Sequence, residues 1–451
     1  MSMSLTYIKN GNVITRYGLI KGGSILISDE RIAAIVKGEI PVQADIVIDA
    51  DSKLILPGAI DVHPHIDDPN FFEGREDFET GTRSAIVGGV TSMVEMPTWN
   101  PVLEKSVIEN KIDRGKRMSY IDFKLHAGNV REILDESVVN ELEKLGVMSY
   151  KTFTCDPYLC TDYVIHENFR KYADSGIIFM FHAENNEILN GVKKEFDDKK
   201  MKSARYHHLT RPSIAEVEAV NRILLLAEKT NAQIYFVHIS LGESVRLINE
   251  AKTRNVKVKL ETCPHYLYFT DKDMERLGPY LKVNPPVRTE DDRKALINYL
   301  NAGVVDIIAS DHYPTFKDER EPGWEDMDRV RSGLPGIGTL YQSIINLMLN
   351  NILKPEVVVK VLSENPAEIF KISDRKGGIA VGKDADLVIL DPKREVRVTP
   401  EKFLIHSGWT PLDGRVFKGY IEKVILRGEV VVEDYEIKAR KPAKYIGTAL
   451  S

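Results

Sequence analysis

The first indication of the fold comes from the stretch Leu54-Ile55-Leu56-Pro57-Gly58-Ala59-Ile60-Asp61-Val62-His63-Pro64-His65. Its apolar part, Leu54–Asp61, is short enough for one buried strand of a parallel sheet. Residues i and i+2 of an extended chain point to the same face. The stretch therefore predicts a buried strand that ends in two imidazoles, those of His63 and His65, directed to one side.

Seven similar apolar runs follow along the chain. They are Thr91–Met96, Ile121–His126, Met148–Thr154, Ile177–His182, Gln233–His238, Val256–Glu261 and Val305–Ala309. Amphipathic helical stretches separate them, among them Glu187–Asp197, Ile214–Lys229, Glu243–Lys252 and Asp291–Asn301. Eight strands alternating with helices predict an α/β fold, the (β/α)8 barrel. A doubly wound sheet is the alternative, but no glycine-rich phosphate loop follows the first strand.

Both ends of the chain contain short strands instead. The N-terminal ones are Tyr7-Ile8, Asn12–Thr15, Ser24–Ser28, Ile32–Val36 and Asp45–Asp49, divided by Asn-Gly and Gly-Gly pairs that predict turns. The C-terminal ones are Ala385–Leu390, Glu395–Val398, Glu422–Leu426 and Glu429–Glu433. Because chain termini often lie close together, we expect one small β-sandwich built from both ends. The predicted segments are 1–54 and 376–451 for the β-sandwich and 55–375 for the catalytic barrel.

Composition narrows the class of protein. The composition, with 28% charged and 43% hydrophobic residues, is that of an ordinary globular protein. The net charge of -6 does not indicate a basic surface for binding nucleic acid. No apolar run is long enough to span a membrane, and the N-terminus lacks a secretory signal pattern. The three cysteines predict no disulfide framework. We expect a cytoplasmic protein without nucleic-acid or membrane partners.

Metal-ligand side chains gather at the predicted strand ends. The catalytic face of such a barrel lies at the C-terminal ends of its strands. Seven of the 11 histidines fall there, namely His63, His65, His126, His182, His238, His265 and His312, and Lys151 and Asp311 follow the same pattern. A single histidine at a strand end is more often structural, and an aspartate there often caps a helix. Taken together, the set predicts a metal site, since imidazole and carboxylate are ligands of zinc and similar ions.

Residues 58–65 resemble the opening motif of the amidohydrolase superfamily. The resemblance continues through Gly88–Thr91, Glu95–Pro97, Phe181–Asn185, Val237–Ser240, Glu261–Tyr266, Lys282–Arg288, Ser310–His312, Asn365–Ala367 and Gly382–Leu387. These motifs, in this order, are similar to those of the cyclic-amide branch, which holds hydantoinases, dihydropyrimidinases, allantoinases and dihydroorotases.

The resemblance implies a site with two divalent ions, most typically Zn²⁺, with Mn²⁺, Co²⁺ or Fe²⁺ as alternatives. His63, His65 and Asp311 would hold the first ion, and His182 and His238 the second. Lys151 would react with CO2 to become N6-carboxylysine and bridge both ions. A bridging hydroxide would attack the ring amide, with Asp311 as the catalytic base and then acid. Relatives are commonly homotetramers.

The predicted substrate is a small cyclic amide, either allantoin or a hydantoin or dihydropyrimidine. Dihydroorotases usually carry an arginine, an asparagine and a histidine where this chain has Asp67, Thr98 and Thr315. Glu79–Arg83 resembles allantoinases, and Arg276–Tyr280 and Glu321–Trp324 resemble hydantoinases. We expect Cys155, Tyr158, Asn284 and Pro335 to contact the substrate, and leave open whether Arg75 supplies a cation.

Three alternatives remain at this point. Dihydroorotase activity would require another cation near the second histidine. A non-catalytic binding relative would have lost metal ligands, and all six positions are intact here. A phosphotriesterase-like hydrolase shares the His-x-His pair and the lysine bridge, but lacks the Cys-Pro-His-Tyr and Asn-Pro-Pro segments.

Overall fold

Five strands of a terminal sheet open the chain in the structure, a computed structural model that describes residues 4–66, 76–97 and 102–447. They are β1 Leu5–Thr15, β2 Gly18–Ser28, β3 Arg31–Lys37, β4 Ile46–Asp49 and β5 Leu54–Pro57. The Asn10-Gly11 and Gly22-Gly23 pairs lie inside β1 and β2, so the turns predicted there are wrong. They coincide with irregular register between β1 and β2, because glycine and left-handed Asn10 (φ 62°) suit a β-bulge.

The barrel strands come next. They are β6 Ala59–Asp61, β7 Val90–Glu95, β8 Asp122–Leu125, β9 Ala127–Val130, β10 Ser149–Phe153, β11 Ile178–His182, β12 Gln233–Phe236, β13 Val258–Thr262 and β14 Ile307–Ile308. β8 lies within the predicted run Ile121–His126, whereas β9 begins after His126, beyond the end of that run. Pairing is parallel in β6-β7-β8 and from β9 to β14. A parallel bridge between Pro64 and His312 joins the first and last strands, which confirms the predicted barrel.

The run Leu54–Asp61 is not the single strand that its apolar character predicts. It divides at Gly58, so that β5 belongs to the terminal sheet and β6 to the barrel. A side chain at position 58 would meet Thr91, with atoms only 2.3 Å from an added Cβ. Glycine therefore lets the chain pass closely beside β7 as it changes sheets.

Fourteen α-helices lie between and after the barrel strands in the described part of the chain. They are α1 Phe78–Val87, α2 Lys105–Met118, α3 Glu136–Lys144, α4 Asp162–Tyr172, α5 Asn186–Asp198, α6 His207–Thr210, α7 Ser213–Thr230, α8 Gly242–Thr253, α9 Pro264–Tyr268, α10 Met274–Leu277, α11 Glu290–Asn301, α12 Ile337–Leu349, α13 Pro355–Val359 and α14 Asn365–Ile369. The four helices predicted from amphipathic stretches of the sequence are present as α5, α7, α8 and α11. Side-chain caps fix where such helices begin. At the start of α11, for example, the Thr289 side chain accepts a hydrogen bond from the Asp292 N–H. Within the described ranges, no helix has the length and apolarity needed to cross a membrane.

The C-terminal strands complete the terminal sheet. They are β15 Leu387–Arg397, β16 Val416–Leu426, β17 Glu429–Glu433 and β18 Glu436–Ile437. β5 pairs antiparallel with β15 and parallel with β1, which joins the two chain ends in one nine-stranded sheet. Its separate core includes Ile8, Ile25, Ile55, Leu387 and Ile425. The predicted strand domain from both chain ends is thus confirmed.

A buried ion cluster joins this sheet to the base of the barrel. Lys376 Nζ lies 2.6 Å from an oxygen of Asp122, 3.1 Å from one of Asp384 and 2.7 Å from one of Asp386. Asp122 begins β8, so the cluster lies at the N-terminal end of the barrel strands. Contacts at this end stabilise a barrel rather than perform its chemistry.

Candidate metal centre

The His-x-His pair lies at the C-terminal end of β6. The imidazoles of His63 and His65 are 5.2 Å apart between ring centroids, as the alternation of an extended chain requires. His63 Nδ1 is hydrogen bonded to the buried carboxylate of Glu261. Because Nδ1 donates to this acceptor, the lone pair of His63 lies on Nε2, which faces the barrel mouth.

Lys151 lies in β10 and faces the same point. Its side chain is only 1% exposed, and its Nζ lies 3.3 Å from His63 Nε2. Burial lowers the pKa of Lys151 to about 8. A buried ammonium beside an imidazole is costly, which favours the neutral amine at this position.

Two further histidines form the other half of the centre. His182 ends β11 and His238 follows β12, and His182 Nδ1 lies 3.1 Å from His238 Nε2. His182 Nε2 lies 2.7 Å from Glu184, which in turn accepts from Arg211 Nε at 3.1 Å. This chain of contacts fixes the ring of His182 and leaves its Nδ1 directed to the mouth.

Asp311 completes the set three residues after β14. One of its carboxylate oxygens lies 3.5 Å from His63 Nε2 and 3.9 Å from His65 Nε2. Its backbone is in the left-handed region (φ 46°), held by the preceding Ser310, whose N–H donates to Asp61 at 3.0 Å. Burial raises the pKa of Asp311 above its ordinary range, against the opposing effect of Lys151.

These donors suit a borderline divalent cation. Burial holds the pKa of His63, His65 and His238 well below the usual range of histidine, so all three are neutral, as metal ligands must be. Ligand atoms of His63, His238 and Asp311 lie within 4.8 Å of one another. Neutral imidazole nitrogens and a carboxylate that converge at this spacing make a candidate site for a cation.

The centre opens into a cavity of about 240 Å³. Cys155, Tyr158 and Asn284 line it, as predicted for substrate contacts. The Oδ1 atom of Asn284 is buried and has no hydrogen-bond partner in the described part of the chain. Pro335 is buried outside the lining, where Arg331, Ser332 and Gly333 lie instead. Asp67, Asp68, Arg75 and Thr98 fall outside the described residues.

The other three strand-end histidines do not join the centre. His126 bonds Ser149 Oγ at 2.6 Å and the carbonyl of Val62 at 3.0 Å, which satisfies both of its nitrogens. His312 bonds Glu76 through Nε2 and accepts from the Gly336 N–H through Nδ1. His265 is buried and absent from the cavity lining. A strand-end position therefore does not by itself identify a ligand.

Sequence reasoning assigned no role to Glu184, Glu261 or Arg211. Glu184 stands two residues after His182 and so shares its face, a signal that the spacing contained. Glu261 ends a predicted strand, which was a similar signal. Arg211 lies between α6 and α7, and no local pattern connects it to Glu184.

Comparison with known proteins agrees with this geometry. The model of the amidohydrolase family matches residues 54–431. The chain is 32% identical over 438 residues to an L-hydantoinase of Paenarthrobacter aurescens, covering 95% of each chain. It is also 32% identical over 450 residues to an allantoinase of Rubrobacter xylanophilus, covering 96% of this chain and 97% of the other. The solved L-hydantoinase (dihydropyrimidinase) of Arthrobacter aurescens superposes with a TM-score of 0.92 at 30% identity, over 99% of this chain and 100% of the other.

Proposed function

The chain belongs to the amidohydrolase family, and from this membership we propose that it hydrolyses a cyclic amide, opening the ring of allantoin or of a hydantoin or dihydropyrimidine. The observation that carries the proposal is the convergence of four neutral imidazoles, Lys151 and Asp311 on one cavity of about 240 Å³. That space suits a small ring rather than a polymer. The relatives do not favour the dihydroorotase alternative.

We propose two ion positions. His63, His65 and Asp311 would hold one divalent ion, and His182 and His238 the other, with Lys151 between them. When bound, such ions supply water activated for attack at neutral pH and polarise the carbonyl of the substrate. Three protein ligands of imidazole and carboxylate type are typical of catalytic zinc, with manganese, cobalt and iron as the other candidates.

Lys151 is proposed to be carboxylated. The neutral amine is the form that adds CO2, with release of one proton, and the lowered pKa of about 8 makes this form accessible near neutral pH. The resulting carbamate would place an anion where the Lys151 nitrogen now lies 3.3 Å from His63 Nε2. It would thereby replace a hydrogen-bond donor with two ligand oxygens.

Asp311 is proposed to move the proton. It would take a proton from the attacking water and return it to the ring nitrogen that leaves when the carbon–nitrogen bond breaks. The product is an open chain with a new carboxylate, and the released ring nitrogen becomes the terminal –NH2 of a ureido group. Asn284, whose Oδ1 has no partner in the described structure, would accept a hydrogen bond from a ring N–H.

Three further properties belong to the same proposal. A homotetramer follows from the family resemblance. A cytoplasmic location suits the three cysteines, which are all unpaired and buried. Carboxylation of Lys151 makes CO2 a required co-reactant during assembly.

Ring preference tests the proposal. Dihydroorotate carries a carboxylate, and the acidic Asp67 and Asp68 follow the second ligand histidine in sequence. A repulsion of about 1–3 kcal/mol in a partly shielded site gives roughly 5–150-fold in kcat/KM in favour of neutral rings. The measurement compares allantoin, hydantoin and dihydrouracil with dihydroorotate, in one buffer with one metal. A ratio below one would reverse the ring assignment, and no hydrolysis of any ring would refute the proposed function.

A further inference from the structure

One segment forms a wall shared by two cavities. We call residues 327–333 the wall loop. Its end, with Arg331, Ser332 and Gly333, lines the cavity above the metal centre. Its start, with Met327 and Asp328, lines a neighbouring cavity of about 140 Å³. The position of this loop therefore sets the width of the substrate cavity.

A buried lysine holds the first half of the wall loop. Lys282 Nζ donates to the carbonyls of Met327 and Val330, each at 2.5 Å. The Lys282 carbonyl accepts a hydrogen bond from the Gly333 N–H at 2.9 Å, so both the backbone and the side chain of Lys282 contact the loop. Its side chain is directed at backbone oxygens, which no apolar residue of its size would bind.

A buried arginine holds the second half. Arg320, which has no exposed surface, donates to the carbonyls of Arg331 at 2.8 Å and of Gly333. Its Nε donates to Thr315 Oγ1 at 2.9 Å, and its guanidinium lies 5.0 Å from the ring of Trp409. Thr315 is four residues beyond Asp311, so the arginine ties the wall loop to the segment that follows the catalytic aspartate.

Both cations lack an ion-pair partner among the residues that the structure describes. In the described ranges no carboxylate lies within salt-bridge distance of Lys282 or Arg320. Burial accordingly lowers the pKa of Lys282 to about 8 and that of Arg320 to about 9. Burying an unpaired charge is costly, and charge-assisted hydrogen bonds to carbonyls are what offsets the cost here. Four carbonyls of one seven-residue loop receive these bonds.

We propose that Lys282 and Arg320 are positioning residues that fix the wall loop and so set how tightly the substrate ring is held. The inference rests on the proposed function for the identity of the ring. Its structural part, that two buried cations order this loop, does not depend on that function. Neither residue touches the metal ligands, so both should act on substrate binding more than on the chemical step.

The test uses Lys282→Met and Arg320→Met, which keep the apolar volume and remove the donors. In the metal-loaded enzyme each should raise KM for the best cyclic amide on the order of 10–100-fold, because a displaced wall loop loses contacts that the bound ring keeps throughout the reaction. Metal content should not change, and kcat should fall much less than KM rises. Arg320→Lys keeps the charge but reaches fewer carbonyls, so its KM should lie between those of wild type and Arg320→Met.

Matched controls separate positioning from stability. Lys124 is likewise buried and bonds one carbonyl, that of Phe370 at 2.8 Å, and Arg427 is buried beside Asp122. Lys124→Met and Arg427→Met should lower the thermal midpoint and leave KM unchanged. If Lys282→Met and Arg320→Met behave like these controls, the proposal is wrong.

Hydrogen exchange distinguishes the two possible failures. Amides of 327–333 should exchange faster in Lys282→Met and Arg320→Met than in wild type, while those of the barrel strands stay protected. This readout holds even if wild type hydrolyses no cyclic amide, an outcome that would refute the proposed function alone. Unchanged exchange in the loop would refute the inference. Should a methionine variant not fold, Arg320→Lys decides by the same two measurements.

Discussion

Lys151 and Lys376 are both almost completely buried, yet they lie at opposite ends of the barrel in opposite electrostatic surroundings. At the base, burial alone would lower the pKa of Lys376, but three carboxylates within 3.1 Å raise it above the ordinary value. At the rim, the nearest polar neighbour described for Lys151 is the imidazole of His63, and burial lowers its pKa to about 8.

The difference shows what each end is built for. A buried charge that finds its partners within the chain stabilises the fold only modestly, but its removal leaves other charges uncompensated. A buried amine without carboxylate partners is a cost to the folded state, which carbonyl hydrogen bonds offset at Lys282 and which a ligand or a modification would offset at Lys151. The base of this barrel therefore balances its buried charge within the chain, whereas the proposed ions would complete the rim.

Among these substitutions, removing Lys151 should cause the largest loss of activity, and it tests the difference between the rim and the base most directly. Lys151→Ala should lose metal and lower kcat/KM on the order of 10³-fold or more, because it removes the proposed bridge between the two ions. The thermal midpoint of the metal-free protein should not fall. A short carboxylic acid should restore part of the activity by supplying the missing oxygens. Normal metal content and rate in Lys151→Ala would show that the bridge is assigned to the wrong residue.

Removing Lys376 should have the opposite outcome. Lys376→Met leaves Asp122, Asp384 and Asp386 without their shared cation and should lower the free energy of unfolding by about 3–5 kcal/mol. The kcat/KM per folded molecule should stay at the wild-type value. Urea unfolding followed by fluorescence, with activity assayed below the transition, checks both parts. A loss of activity larger than the loss of folded protein would contradict the division between base and rim.

Glu184 sharpens the comparison within the rim itself. Glu184→Gln keeps a hydrogen-bonding group beside His182 but removes the charge that Arg211 and the imidazole share. Metal affinity or activity should fall about 10–100-fold, as for other residues that orient metal ligands. Glu218→Gln, a carboxylate that bonds Asn185 and Arg222 on the outside of the barrel, is the control. Equal effects of the two substitutions would show that Glu184 does not orient a metal ligand.

His207 should give the smallest effect, on pH dependence. It lies buried in the wall of the neighbouring cavity, its Nε2 donates to the Val283 carbonyl at 3.0 Å, and burial lowers its pKa to about 3. The unfolded chain binds a proton near pH 6.5 that the folded state does not, so this residue makes stability fall as the pH drops from about 6.5 to about 3. His207→Gln should reduce that slope by up to about 1.4 kcal/mol per pH unit. If His207→Gln leaves the slope of the free energy of unfolding against pH unchanged between pH 4 and 6, His207 is not the group responsible.

The barrel could be predicted from the sequence because burial has a local signature. Apolar runs such as Gln233–His238, separated by stretches of helical period, show which residues avoid water, whatever their partners are. Strand alternation likewise places His63 and His65 on one face of the chain. The division of Leu54–Asp61 at Gly58 has no such signature, because a buried strand in either sheet has the same apolar character.

The fold class, the strand ends and the pool of ligand side chains therefore follow from the sequence alone. Tertiary structure is needed to see that His182 and His238 approach within 3.1 Å while His126 is satisfied by Ser149 and Val62, since all three histidines occupy equivalent positions in sequence. The same holds for the contacts of Arg320 with the wall loop and of Arg211 with Glu184. Such partners meet only after the barrel closes, and periodicity within one strand or helix carries no record of which distant segment lies opposite.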